Sequence, residues 1–324
     1  MDLSVSFTDF WAGFNEKDNF FTKILSHKYN VYVVKPNENP DLLICSYFGF
    51  EHMKYDCLKL YFTGENNVPD FNFFDYALSF HFIDFGDRYM RLPLYLTYPC
   101  FETLRSNSYP APQNAYQRNF CSFVVSNDFN GNSTRLKFFK MLSEIAPVAS
   151  GGRCLNNIGG PVKDKDAFIR KYKFNIAFEN SMVEGYTTEK LFDAFAAKTV
   201  PIYWGNPLVS RDANPEAFIN ITDFATLQDA VDYVAKVNSD EKLYHNYLNS
   251  NPIADTVYMN WEEMLLQFMD NIIQSRKRYT TKCGIMGDIQ YFSLIKERLF
   301  SYPKLRNNLE LIDKISNFKK KIKL

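Results

Sequence analysis

The chain has 324 residues, and Lys plus Arg equals Asp plus Glu at 37 each, so the formal charge is zero and no global basic field points to nucleic acid. That length exceeds what one hydrophobic core usually supports, and two domains are expected. Six cysteines, at 45, 57, 100, 121, 154 and 283, form no C-x-x-C pair, and the four histidines are scattered, so the thiols read as reduced and no metal spacing is apparent.

The first half opens with a strand-like run from Leu3 to Phe7, then Trp11-Ala12-Gly13-Phe14, a helical stretch near Phe20 to Leu25, and β-prone runs at Val31 to Val34 and Leu42 to Ser46. Such alternation predicts a parallel α/β domain. From Tyr98 to Arg118, Pro99, Pro110, Pro112 and several Ser and Asn residues read as a linker, with a domain boundary near residue 118. The run Phe120 to Asn127 reads as a strand, 128 to 133 as a loop, and Thr134 onward as a helix with Leu136, Phe138, Phe139, Leu142 and Ile145 on its apolar side. Arg135 therefore lies at a helix start facing a strand end. Further on, Phe174 to Phe178 and Val200 to Trp204 read as buried parallel strands, with an apolar helix between them capped by Thr187 or Thr188. Glu189 and Lys190 occupy its first turn. Free N–H groups, a positive dipole end and a lysine there suit a diphosphate, although a solvated first turn would read the same way by position alone. A helix from Leu227 to Val237 completes a second Rossmann-like alternation.

The pattern goes beyond position. Phe178-Glu179-Asn180-Ser181, then Gly185-Tyr186, Thr188-Glu189-Lys190, and Pro201-Ile202-Tyr203-Trp204-Gly205 after the helix resemble the signature of the α-1,3-fucosyltransferases, glycosyltransferase family ten, in its bacterial form. Far away in sequence, Phe62-Thr63-Gly64-Glu65-Asn66, Pro69 to Tyr76, Asp87-Arg88-Tyr89, Arg91 and Pro93-Leu94-Tyr95 resemble the amino-terminal half of the bacterial enzymes. The resemblance implies an α/β protein of GT-B architecture, two Rossmann-like domains facing each other across a cleft. Residues 1–118 would bind the acceptor, 119–300 would bind GDP-fucose, and 301–324 would form a basic tail.

It also implies the chemistry: inverting transfer of L-fucose from GDP-fucose to O3 of GlcNAc or Glc in an N-acetyllactosamine-type glycan. Glu65 falls on the proposed general base. Arg135, Asn180, Tyr186, Glu189 and Lys190 fall on donor-binding positions, with Glu189 also beside the fucose, where positive charge develops. No Asp-x-Asp run falls within these motifs, and basic residues take the place of a cation, so no metal or other cofactor is expected. The alternatives are α-1,4 regiochemistry, another donor such as GDP-mannose, or a nucleotide-sugar binding protein without turnover. Relatives suggest a lipopolysaccharide O-chain or Lewis-type product.

Aromatics reach 17% of the chain, and Tyr47, Phe48, Phe50, Phe71, Phe73, Phe74 and Tyr76 lie outside these strands. Most are expected in the core, with a share stacking on acceptor sugar rings. The loop from Asn180 to Lys190 is expected to close over bound nucleotide. No run of about 18 apolar residues and no basic leader appears, so a cytoplasmic protein is expected. At the end, Leu305, Leu309, Ile312, Ile315 and Ile322 among lysines read either as a basic amphipathic helix on an anionic membrane or as a solvated terminus.

Overall fold

The computed structural model describes residues 1–106, 112–126 and 133–279. Residues Met1–Lys277 form one compact unit, and the segment from Arg278 belongs to another. The basic tail and most of the loop before Thr134 lie outside the described residues.

The amino-terminal half builds one sheet from β1 (Asp2–Thr8), α1 (Phe20–Leu25), β2 (Asn30–Val33), β3 (Leu42–Cys45), β4 (Lys59–Phe62), β5 (Tyr76–Ser79) and β6 (Tyr89–Arg91). All six strands are parallel, in the order β2-β1-β3-β4-β5-β6, with Val5 opposite Leu42, Leu60 opposite Tyr76 and Ala77 opposite Tyr89. Strands β3, β4 and β5 are buried at every residue, which explains why they are mostly apolar and show no alternation, Lys59 and Ser79 being the polar residues among them. Helix α1 starts where it does because Asn19 and Thr22 cap each other: the Asn19 side chain accepts from Thr22 N at 3.1 Å and Thr22 Oγ1 accepts from Asn19 N at 3.2 Å.

The stretch read as a linker is partly a helix. α2 (Pro99–Arg105) begins with Pro99 at its first position, where a missing N–H costs nothing, and buries Cys100 and Phe101. Proline marked a helix start there, not a loop. Phe101 lies 6.1 Å from the Phe192 ring, and Tyr95 stacks on Phe192 at 3.9 Å, so the crossing between halves is packed with aromatics.

The second half adds β7 (Asn119–Phe123), α3 (Ser133–Ile145), β8 (Val148–Ser150), α4 (Lys165–Ile169), β9 (Tyr172–Phe178), α5 (Glu189–Ala196), β10 (Val200–Trp204), β11 (Ile219–Asn220), α6 (Leu227–Ser239), α7 (Glu241–Asn249) and α8 (Trp261–Ser275). Five parallel strands run in the order β11-β10-β9-β7-β8, with Val200 and Cys121 flanking Phe174. β7 stops short of the run to Asn127 because Val125 turns its carbonyl to Cys154 N, at 3.0 Å, instead of to a strand. The core beneath this sheet is aromatic: Phe138 and Trp204 lie 5.2 and 6.2 Å from Phe178, and each fully buried ring of this kind is worth about 1.5–3 kcal/mol.

α8 returns to the first sheet. Asp270 accepts hydrogen bonds from Lys28 Nζ at 2.8 Å and from the Tyr29 hydroxyl, and Tyr76 donates to the Lys277 carbonyl at 3.1 Å. Residues 261–277, which a boundary at 118 assigns to the second domain, thus pack against α1.

Candidate active site

In open parallel sheets, ligands gather outside the carboxyl ends of strands where the strand order reverses. The second sheet reverses between β7 and β9. Arg135, in the first turn of α3, and Asn180, just after β9, meet at that point. Arg135 is 5% exposed, and one of its guanidinium nitrogens donates to the Phe178 carbonyl at 3.2 Å, the Glu179 carbonyl at 2.6 Å and Asn180 Oδ1 at 3.2 Å. Burial lowers its pKa, and the nearby Glu179 charge opposes that shift.

The start of α5 carries a carboxylate of its own. Thr188 is the N-cap, but its side chain makes no cap bond to the helix. Glu179, fully buried, accepts from Thr188 N at 2.7 Å and from the Thr188 hydroxyl at 2.6 Å, and Lys190 Nζ reaches it at 3.2 Å. Burial raises the Glu179 pKa, against the pull of Lys190 and the Thr188 donors. Lys190 shifts the other way in net: burial disfavours its charge, but Glu179 and then Glu189 hold its pKa above the ordinary value. Glu189 remains below the ordinary carboxylate value: burial raises it, and Lys190 and Lys165 outweigh that. The expected phosphate seat therefore already contains an internal anion, and Glu179, quoted only as part of a motif, turns out to organise it. Gly205 must be glycine here, since a Cβ would collide with the Glu179 side chain and meet Tyr203 Oη at 2.7 Å.

Glu65 comes from the loop after β4. Its backbone N–H donates to Thr63 Oγ1 at 3.0 Å, which folds Thr63-Gly64-Glu65 into a tight turn, and its neighbour Asn66 donates to Ser181 Oγ at 2.8 Å. That bond ties the loop of the first sheet to the loop after β9. Glu65 is half-buried, and burial raises its pKa while Lys190 lowers it and Glu189 raises it further. Tyr186 is buried beside Phe80, ring centroids 4.8 Å apart, and its pKa rises through burial, with Lys190 opposing and Glu179 and Glu65 adding to the shift. All six expected residues thus converge on one region between the two sheets. A 660 Å³ cavity bounded by Arg105, Lys198, Pro252 and Met259 contains none of them, so charge and hydrogen bonding locate the site rather than concavity.

One group had no signal in the sequence. Asp212 is fully buried and accepts from Arg91 through both oxygens, at 2.8 and 2.9 Å, from the Tyr95 hydroxyl at 3.0 Å and from Thr187 Oγ1 at 2.7 Å. Asn206 donates to Thr187 Oγ1 at 3.0 Å and accepts from Gly185 N at 2.7 Å. Gly185, at φ +84°, also takes a bond from Arg91 on its carbonyl at 3.2 Å and lies so close to the Phe80 backbone that no Cβ would fit. Residues 185–190 are therefore fastened at both ends, and the exposed part of the expected lid is limited to 181–184. The only Asp-x-Asp in the chain, Asp164-Lys165-Asp166, uses its carboxylates in α4: Asp164 caps Ala167 N at 2.9 Å and Asp166 pairs with Arg170 at 2.6 Å.

Comparison with known proteins bears on the family and the fold. The family model for the "FucT N-terminal domain" of α-(1,3)-fucosyltransferases matches residues 5–98, and the model for glycosyltransferase family 10 (fucosyltransferase) matches residues 115–283. The α-(1,3)-fucosyltransferase FucT of Helicobacter pylori is 35% identical over 283 residues, 75% of this chain and 59% of that protein, so the chain spans about three fifths of this relative's length. A solved α1,3-fucosyltransferase with GDP-fucose superposes with a TM-score of 0.75 at 30% identity, over 87% of this chain and 93% of that one. An α-glucosyltransferase in complex with UDP, at 10% identity and a TM-score of 0.51, shares the fold alone. Two facing parallel sheets of this kind make the GT-B architecture, and with both family models matched, the chain belongs to glycosyltransferase family 10, the fucosyltransferases.

Proposed function

We propose that this chain transfers L-fucose from GDP-fucose to O3 of GlcNAc in an N-acetyllactosamine-type acceptor, with inversion at the anomeric carbon. The acceptor hydroxyl attacks C1 as the bond from C1 to the diphosphate oxygen breaks. Glu65 takes the hydroxyl proton, and GDP leaves with the bonding electrons. A carboxylate whose pKa burial has raised is a better base than an ordinary one. Lys190, Arg135 and the start of α5 stabilise the charge gathering on GDP, and Glu189 faces the oxocarbenium character of the sugar. Asn180 and Tyr186 orient the donor. The reading calls on no metal, because fixed basic groups carry the leaving charge.

The observation that carries this reading is the juxtaposition across the sheets: the Glu65 loop is bonded through Asn66 to Ser181, beside Asn180, and Glu65 feels the charges of Lys190 and Glu189. A nucleotide-sugar binding protein has no use for a base so placed. The solved α1,3-fucosyltransferase with GDP-fucose supports the donor.

The test is GDP release from GDP-fucose by the purified protein in EDTA, with type 1 and type 2 disaccharides and with GDP-mannose as a competing donor. Release that depends on a type 2 acceptor and yields an α-1,3 product supports the proposal. An α-1,4 product, a requirement for added metal or preference for GDP-mannose would replace the corresponding part of it.

A further inference from the structure

The first sheet has its own reversal of strand order, between β1 and β3, and the carboxyl-end loops there carry an exposed aromatic group that the mechanism leaves unused. Trp11, after β1, is 42% exposed; Tyr47 and Phe48, after β3, are 41% and 47% exposed. They touch in series: the Trp11 and Phe48 rings lie 6.2 Å apart edge to face, and Phe48 and Tyr47 lie 4.4 Å apart. Strand β4, which leads to Glu65, is the next neighbour in the sheet. Glu65 lies close enough to Tyr47 for its charge to help burial raise the phenol pKa.

These rings are held in place. Asp9 sits at φ +61°, an uncommon conformation that aspartate tolerates better than most residues, and its side chain is 2% exposed. Its carbonyl accepts from Phe48 N at 2.9 Å, and its carboxylate accepts from Glu51 N and His52 N at 2.9 Å each and lies 2.6 Å from His52 Nδ1. A Cβ at Gly49 would collide with that carboxylate. Asp9 thus clips the β3 loop onto the β1 loop. Trp11 also walls a cleft of about 710 Å³ whose floor includes Phe62 and Leu94 and whose rim carries Asn15, Asp18 and Glu102. Apolar faces with polar groups around them suit the alternating C–H and hydroxyl surfaces of a sugar ring, and the volume is that of a small-ligand site.

We propose that Trp11, Phe48 and Tyr47 form a rigid stacking platform for the sugar rings of the acceptor beyond the one fucosylated at Glu65, making the enzyme selective for extended glycans over disaccharides. This rests on the acceptor reading above. Solvation alone gives no reason for three touching aromatics to be clipped by a buried aspartate beside the base. Asp9 is a positioning residue for the platform.

The experiment compares N-acetyllactosamine with its dimer. Wild-type protein should show a KM for the dimer about tenfold below that for the disaccharide. Trp11→Ala and Phe48→Ala should each abolish most of that difference while leaving GDP affinity within about twofold, and Trp11→Tyr should restore it. Equal KM values for the two acceptors, or an unchanged ratio in Trp11→Ala, would overturn the platform. Binding is read separately by tryptophan emission, since Trp11 is exposed while Trp204 and Trp261 are buried. A blue shift with the dimer that vanishes in Trp11→Phe supports the platform even if turnover is absent, in which case the catalytic reading alone has failed. No shift, or a shift that survives in Trp11→Phe, overturns the platform whatever the turnover.

Discussion

Lys190 sits among three carboxylates, Glu179, Glu189 and Glu65, and its charge affects each of them. For Glu65 the consequence is a pH profile. Burial raises its pKa above the usual 4.5 and Lys190 pulls it back, so only part of the shift is expressed. A base must be ionised, and kcat/KM should therefore fall as pH drops through a value above 4.5. Lys190→Ala removes the opposing charge and should move that acidic limb to higher pH, besides lowering the rate; a limb that stays put or moves down would show that the two groups do not sense each other. Arg135 is the other residue whose type matters. One of its nitrogens is committed to three oxygens at the end of β9, and the planar, several-nitrogen fork that carries it is what lysine, with all its donors on one nitrogen, cannot reproduce against a diphosphate. Arg135→Lys should weaken GDP binding about tenfold to a hundredfold by calorimetry, the worth of one lost charged hydrogen bond.

At the scale of elements, β9, α5 and β10 were legible because two apolar runs frame one apolar helix, and burial on every face left no other reading. Strands β4, β5 and β6 were not. They are four, four and three residues long and embedded among aromatics, so neither alternation nor length sets them apart. The internal anion at α5 was hidden for another reason: Glu179 precedes Thr188 by nine residues, and a glycine turn brings it back to the helix start. Glu179→Gln should cost about 1 kcal/mol, on the scale of a lost cap, read as a lower denaturant midpoint. Because a diphosphate would then supply the missing negative charge beside Lys190, GDP should raise the melting temperature of this variant more than that of the wild type. An equal rise in both would mean that the phosphate does not share Lys190 with Glu179.

Across the whole molecule, the halves are joined by an ion pair between partly buried Arg91 and fully buried Asp212, 121 positions apart, a separation at which no local pattern could pair them. Asp212→Ala would leave Arg91, Tyr95 and Thr187 donors without their shared acceptor and should cost about 3–5 kcal/mol in urea unfolding. The same contact sets Gly185, and through it Tyr186, against the first sheet, so the variant should lose turnover before it loses fold. The α8 helix adds a second long-range closure that composition did not announce. What these joints hold together is a base on one sheet and a donor site on the other. Replacing that base tests the arrangement most directly. Glu65→Gln keeps the shape and removes the proton acceptor, so kcat with GDP-fucose and a type 2 acceptor should fall about 100- to 10,000-fold while GDP affinity stays near that of the wild type. Turnover within a fewfold of the wild type would contradict the account and remove Glu65 from the reaction.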